Sequence, residues 1–469
     1  MALAALWALP ALGAAQTSWQ FSPYEVRVWV AATPRAGARG RWTAALAKVL
    51  PGQSEATFGA TWNLEILSAP DSLRTELTLR DAPPAAERLE AAGDLKTADK
   101  LFTVAIDFDE GEYQIAVREL DVRTRIWSSP QKRAVAQPEA TPLLAWDAIR
   151  AAFTPLAKVE KVDGKQVAAR VRAGGLIVES GSPAQIPSGS TLQPVIRRND
   201  RTGQPLKGGL QVVPWAVLDV TANEEALLTC TLYSGLRYAI PSRGGPRTER
   251  LALLMRRQTA ATTLHLQTRG NNSRPLPGYE VFAKLPNSEE DARLVGLTDG
   301  AGNLTLPQSD PPLRVLYIKN GGQLLARLPL VAGVEPLVSA KVPDDELRLQ
   351  AEGIVLALQS RVMDLTARRE ILAARIRARI KEGRLAEAGQ LIEELRLMET
   401  RADLVKELDA QRQQVRSNER LTQARIDKLL SNGRGLLTKF LDPRLPDVLT
   451  AELEKARAGT PTSAKAPGA

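Results

Sequence analysis

The sequence predicts a multidomain chain: an α+β N-terminal domain, two tandem β-sandwiches and a C-terminal antiparallel helical hairpin. Three observations lead there. At 469 residues the chain is too long to be organised around one hydrophobic core. Residues 186–343 are short alternating runs punctuated by Gly, Pro and Asn, the pattern of stacked antiparallel sheets. From Asp344 onward, apolar residues recur at helical spacing instead. The expected boundaries are a signal peptide over 1–15, a Trp-rich α+β domain over 16–185, sandwiches over 186–260 and 261–343, the helical hairpin over 344–441 and a disordered tail over 442–469.

Composition limits the function classes. Apolar residues make up 44% and charged residues 25%, which is ordinary globular usage and excludes wholesale disorder. A net charge of +9 is a mild bias over so long a chain, with no nucleic-acid footprint. It suits attraction to acidic surfaces such as anionic glycans or lipid headgroups, and more simply a plain compositional preference for Arg. Cys230 is the only thiol, so neither an intramolecular disulfide nor a Cys-based zinc site can form. In Leu228-Thr229-Cys230-Thr231-Leu232 it shares a strand face with two leucines, the setting of a buried, unreactive cysteine.

The first residues read as an export signal. Residues 2–15 are apolar and too short to span a bilayer; Gly13 and Ala15 supply small residues at −3 and −1 of a cleavage site. The basic start of such signals is missing, since Met1 runs directly into Ala2. A short buried helix is the plainer alternative, and the polar sequence after it favours the signal. No cysteine follows the cleavage site, so no lipid anchor is expected, and no later stretch is long enough to be a transmembrane anchor. The expected location is the periplasm or beyond.

Six of the eight tryptophans fall early, at Trp19, Trp29, Trp42, Trp62, Trp127 and Trp146. They read as core residues, with a sugar-stacking platform as the sharper alternative. Tyr24–Val30 alternates as a half-buried strand, and Trp42–Leu50 repeats as a helix that should stop at Pro51. Leu101–Phe108 and Tyr113–Val122 make a hairpin around Asp109-Glu110-Gly111-Glu112. A helix follows near Pro142–Leu156, then a hairpin pairing Lys158–Val162 with Gln166–Val171 across Asp163-Gly164.

The middle of the chain contains a degenerate repeat. The first copy runs through 203–213, 227–242 and 250–256, and the second through 273–283, 293–308 and 313–320. Both carry Pro-Leu-x-Gly, a glycine turn and a closing strand, which suggests two related sandwiches. In the second copy, Arg274-Pro275-Leu276-Pro277-Gly278 is followed by Val281 and then by Gly296-Leu297-Thr298-Asp299-Gly300-Ala301-Gly302-Asn303-Leu304. This segment resembles the carboxypeptidase regulatory-like domain. The resemblance implies a prealbumin-like β-sandwich, an accessory module for stability, display or binding, with no catalytic residues to carry over. The first copy has Leu232-Tyr233 where the second has Thr298-Asp299.

Pro343-Asp344-Asp345-Glu346 opens the helical region with acids at the positive end of the dipole. One apolar stripe runs from Leu347 to Ile380, basic residues crowd its end, and Gly383 closes it. A second stripe covers Ala388–Val405, and a third helical segment, from about Glu419 to Leu430, should break at Gly433-Arg434-Gly435. Self-packing as an antiparallel hairpin is the simplest solution, with a homo-oligomer through these helices as the alternative.

No catalytic, cofactor-binding or metal residues are assigned. A histidine metal cluster is impossible with one histidine, and a triad would have to be built on that one, His265, which lies on the polar side of a strand. Neither GxxxxGK[ST] nor GxGxxG after a strand occurs. Asp107, Asp109, Glu110 and Glu112 are the densest carboxylates, but Gly111 and Arg118 miss the calcium-loop positions. Asn271-Asn272-Ser273 and Asn303-Leu304-Thr305 match the glycosylation pattern and read as turn residues. The expected function is a non-enzymatic exported envelope or secreted protein. Its expected partners are an anionic glycan or envelope component, or further copies of itself, and no nucleic acid. The rival is a carbohydrate-acting hydrolase with Asp107 and Asp109 as acid and base.

Overall fold

The computed structural model describes residues 19–459 apart from 80–82, 94, 180 and 270–272. The signal segment 1–15, Asn271-Asn272 and residues 460–469 lie outside the described residues. The chain is a mixed α and β assembly of several units with a helical C-terminal region.

In the N-terminal unit, β1 (Tyr24–Ala32) lies between β2 (Trp62–Ser68) and β3 (Lys100–Asp109), parallel to both. β4 (Glu112–Asp121) returns antiparallel, and β5 (Ile126–Trp127) and β6 (Gln131–Val135) pair with it. α1 (Arg39–Phe58) connects β1 to β2, while α2 (Asp71–Leu79) and α3 (Ala86–Ala92) connect β2 to β3. Because β2 and β3 flank β1 on opposite sides, crossovers of one hand put these helices on opposite faces. Strand alternation serves both faces. Val26, Val28 and Val30 pack under α1 and α4 (Thr141–Ala152), whereas Trp29 and Ala31 pack under α2 and α3. Trp29, Trp42, Trp62 and Trp146 are buried, and Trp62 stacks on Phe58 with ring centroids 3.7 Å apart.

The helix predicted to stop at Pro51 runs through it to Phe58. Losing one N–H costs about 3 kcal/mol in a helix interior. Here Trp42, Leu46, Leu50 and Phe58 are buried on a single face. At roughly 1.5–3 kcal/mol per fully buried apolar side chain, that packing prevails.

The segment predicted as the first sandwich is part of a barrel. β7 (Leu156–Asp163), β8 (Gln166–Val171), β9 (Thr191–Asn199), β10 (Pro205–Val212), β11 (Ala216–Glu224), β12 (Leu227–Ser234) and β13 (Thr248–Leu254) form one sheet. Six strands close in the order β9–β11–β12–β8–β7–β13 and back to β9, all antiparallel, with β10 beside β9. The β7–β8 hairpin, expected to belong to the N-terminal domain, supplies two of the staves. Alone it would leave two unpaired edges, and β12 and β13 take them up. Its turn is Gly164–Lys165, one residue later than predicted, with Gly164 at φ +59°. Val159, Ala169, Leu218, Leu228 and Cys230 fill the barrel, while Leu156, Val195, Leu251 and Leu253 face outward into the N-terminal core. The expected boundary at residue 185 therefore cuts through one packed body.

β14 (Ala261–Thr268), β15 (Glu280–Lys284), β16 (Arg293–Leu297), β17 (Asn303–Pro307), β18 (Leu313–Asn320), β19 (Gln323–Val331) and β20 (Leu337–Val342) form two sheets, β17–β14–β20 and β16–β15–β18–β19. Leu264, Leu266, Val281, Leu316, Ile318 and Val342 share the core between them. Asp299 accepts hydrogen bonds from the backbone N–H groups of Ala301 and Asn303, and Gly302 takes φ +75°. That is the reversal expected of the Thr-Asp-Gly-Ala-Gly-Asn run. The repeat does not translate into two copies of one fold: the first copy's strands are barrel staves, the second's divide between two sheets.

In place of a hairpin, five helices complete the described residues: α5 (Glu346–Lys381), α6 (Leu385–Leu397), α7 (Arg401–Gln414), α8 (Arg420–Phe440) and α9 (Leu445–Gly459). Gly383, at φ +73°, turns α5 into α6 as predicted. α7 and α8 pack on the first half of α5 around Val355, Leu358, Leu404, Ile426 and Leu430. α6 and α9 pack on its second half around Leu372, Ile376, Ile392, Leu449 and Leu453. α8 is not broken at Gly433. A Cβ there would lie 3.4 Å from Leu358, in ordinary van der Waals contact, and the packing of α8 on α5 carries the helix through the glycine. Residues 445–459 of the expected disordered tail form α9, whose Leu449 and Leu453 are buried on α6.

Candidate functional site

α2 and α3 cover only part of their face of the N-terminal sheet. The uncovered part floors a groove of about 430 Å³. Its floor is set by register: Thr103 lies beside Arg118, Ala105 beside Ala116 and Asp107 beside Gln114. Lys132 of β6 lies next to Ala116. The two alanines at the centre leave the hollow. Glu76, Leu77, Thr78, Pro83 and Pro84 form one wall, with Trp127 and Pro130 at the other end.

Asp107 and Asp109 line this groove, both on the open face of β3. They stand at the carboxyl ends of parallel strands β1 and β3, where the strand order reverses and open α/β sheets bind ligands. The Arg35 guanidinium spans the two acids, with Nη2 2.7 Å from Asp107 Oδ2 and Nη1 3.2 Å from Asp109 Oδ1. Asp107 also accepts hydrogen bonds from the Thr33 hydroxyl and, at 2.9 Å, from the Phe108 N–H. The pair is thus side by side on one cation rather than facing across a cleft. Glu110 sits in the β3–β4 turn, at φ +51° beside Gly111 at +85°. Among the described residues, no group of three or more His, Cys, Asp or Glu could hold a metal ion.

A second charged cluster lies at the seam between this unit and the barrel. Lys100 Nζ is fully buried and donates to Glu119 Oε1 at 2.6 Å and to the Thr154 carbonyl at 2.5 Å; Asp121 Oδ2 lies 2.7 Å away. Glu119 also accepts from the Thr154 N–H and hydroxyl, at 2.6 and 2.7 Å. Burial opposes the ammonium, but Asp121 and Glu119 outweigh it and raise the Lys100 pKa. Burial raises the Glu119 carboxyl against the pull of Lys100, and the neighbouring Asp121 adds to the rise. Thr154 lies in the link from α4 to β7, so the cluster fixes the point where the chain enters the barrel. Nearby, Trp19 caps the same seam: its Nε1–H donates to the Arg170 carbonyl at 3.0 Å, and Arg123 and Arg172 lie over its ring at 5.0 and 5.1 Å.

The remaining seams are clamped similarly. Tyr233 of the barrel donates to Asn287 at 2.8 Å, and Trp215 packs on the two-sheet core. At the start of α5, Arg348 donates to Asp345 at 2.6 Å and to the Asn320 carbonyl of β18 at 2.9 Å. The Asp345 N–H donates to the Tyr279 hydroxyl at 3.1 Å. Asp345 and Arg348 are both buried.

Cys230 and His265 lie apart from these sites. Cys230 is buried in the barrel, which pushes its thiol up to about 12. His265 pairs through Nδ1 with Asn303 Oδ1 at 2.8 Å. No helix among the described residues is long and apolar enough to cross a membrane.

No family model matches the chain, and no curated protein matches it. Among solved structures, TolB from Acinetobacter baumannii is similar at 10% identity, over 69% of this chain and 96% of that one, with a TM-score of 0.19. BcpA, the major pilin subunit of Bacillus cereus, is similar at 10% identity, over 52% and 71%, with a TM-score of 0.13. At such scores neither likeness bears on fold or function.

Proposed function

We propose that the chain is a non-enzymatic exported envelope or secreted protein, a scaffold of β-rich spacer and binding modules ending in a helical assembly element. Its two-sheet module would be of carboxypeptidase regulatory-like type. The observation that carries this reading is the series of polar clamps at the seams, from Lys100–Thr154 to Tyr233–Asn287 and Arg348–Asn320. A spacer must keep its modules from swinging, and such contacts hold one unit against the next. The N-terminal groove offers the binding face. Arg118, Lys132 and Trp127 line it together with Asp107 and Asp109, which Arg35 bridges, so that an anionic glycan would set its carboxylates on the basic side chains and its ring on Trp127.

The test is binding of the full chain to polygalacturonate, with neutral dextran as control, by calorimetry at low and high salt. The reading predicts salt-sensitive binding to the polyanion alone, weakened at least tenfold by Arg118→Glu with Lys132→Glu at unchanged melting temperature. Equal binding by that double variant would show that the groove is not the binding face. A second reading, a carbohydrate-acting hydrolase, draws support from the place of Asp107 and Asp109 in the groove. The geometry weighs against it, because Asp107 and Asp109 sit side by side on Arg35 instead of facing each other across a cleft. Release of reducing ends that is lost in Asp107→Asn would favour the hydrolase.

A further inference from the structure

α5 buries one side in the bundle and carries, on the opposite side, a second, exposed stripe, whose first residue, Leu349, lies against the Gly321 turn. Leu349, Gly353, Leu356, Ser360, Met363, Ala367, Ile371, Ala374 and Ala378 are all exposed. At about 100° per residue they lie within roughly 40° of one line. The buried residues Ala351, Val355, Leu358, Val362, Leu365, Leu372 and Ile376 lie on the other side. The stripe contains no charge over about 43 Å of helix. Leu356, Met363 and Ile371 are 57, 66 and 54% exposed, far more than stray surface apolar residues need be in so regular a row.

The order of residues along the stripe is palindromic in size. Running a second copy antiparallel, centred beside Met363, brings Leu356 against Ile371, Gly353 against Ala374, Ser360 against Ala367 and Leu349 against Ala378. Two of those layers are small against small, which lets the backbones approach, and Leu356 with Ile371 and the central Met363 pair fill the space between. The flanks agree. Glu346 and Glu352 border the first half of the stripe, and Arg375 and Arg377 the second. Antiparallel pairing sets acid opposite base on both flanks, whereas parallel pairing sets like against like. Asp364 and Glu370 also border the stripe; Glu370 falls opposite the uncharged Ala357, whereas Asp364, next to the centre on one flank, falls beside Asp364 of the second copy, a like-charge contact that the acid–base pairs must outweigh.

We propose that α5 pairs antiparallel with α5 of a second copy of this chain through this stripe. The proposal rests on the reading of the helical end as an assembly element and names its partner and register. A band about 43 Å long and roughly 10–12 Å wide covers on the order of 500 Å² per copy. That is the small end of specific interfaces and implies a dimer that forms at micromolar concentration.

Sedimentation velocity on the full chain from about 1 to 100 µM should show a monomer–dimer equilibrium that high salt weakens. Met363→Glu, which sets two carboxylates face to face, should weaken the dimer at least tenfold while the exposed position leaves the melting temperature unchanged. Cysteine cross-linking reads the register, since Cys230 is buried. Met363→Cys should form an intermolecular disulfide, Leu349→Cys alone should not, and Leu349→Cys mixed with Ala378→Cys should. A monomer throughout, an unaffected Met363→Glu dimer, or Leu349→Cys cross-linking to itself would overturn the proposal. None of these results touches the glycan-binding test, so the scaffold reading stands or falls separately.

Discussion

Replacing Lys100 with methionine keeps most of the side-chain volume and removes the cation that two buried carboxylates share. Glu119 and Asp121 are each about 1% exposed. Leaving buried charges without their partner costs about 3–5 kcal/mol. The contacts give a figure of that order: Lys100 loses two charge-assisted hydrogen bonds and a close approach to Asp121, each hydrogen bond contributing roughly 1.5–3 kcal/mol. For a body of this size 1 kcal/mol moves the melting temperature by about 2–4 °C, so calorimetry should show a fall of roughly 6–20 °C. The pH dependence has a definite sign. Glu119 titrates above its unfolded value, so its protonated form favours the fold, and acidification should narrow the deficit of the variant. In the wild type, the raised Lys100 pKa keeps its contribution whole below the unfolded lysine value, and it is lost only as pH climbs through the higher folded one. Adding Glu119→Gln to the variant should restore part of the loss. A Lys100→Met protein that melts within about 2 °C of wild type at pH 8, less than 1 kcal/mol at this size, would refute the clamp.

Three further outcomes test other parts of the fold. Gly433→Ala places a methyl 3.4 Å from Leu358 and should stabilise by about 0.5–1 kcal/mol through helix propensity, while Gly433→Leu should destabilise by about 1–3 kcal/mol through overpacking; chemical denaturation compares them. Arg348→Met leaves Asp345 buried beside the two-sheet unit, and limited proteolysis with mass spectrometry should reveal new cleavage around Pro343–Asp345. The Cys230 thiol, pushed up to about 12 by burial, should be silent to a thiol reagent at pH 8 until denaturant is added.

Local chemistry is the legible part of this chain. Glu110-Gly111 and Gly383 can be read because a turn or helix end needs positive φ at one place. Cys230 can be read because alternation fixes which face a strand residue takes. What escapes the sequence is non-local. The barrel closes only when β7 and β8 meet β12 and β13, and no residue in the hairpin announces those edges. Pro51 and Gly433 look like stops because local propensity favours a break, and packing against a sheet and a helix overrides it. Asp107 and Asp109 stand out as neighbouring acids, yet Arg35, which bridges them, lies 72 residues before Asp107 and meets it through parallel pairing of β1 and β3. The alternation of strands and helices over 24–109 is the signal that points to such parallel pairing.

The proposed scaffold requires that the seams hold the modules as one rigid body. Single-molecule fluorescence energy transfer tests it most directly, with dyes on Lys161→Cys in the β7 strand of the barrel and Leu397→Cys in the helical bundle, at concentrations where copies stay apart. A rigid scaffold predicts one narrow efficiency peak that broadens when Arg348→Met releases the bundle. A broad or multi-peaked distribution in the otherwise unaltered chain would contradict it.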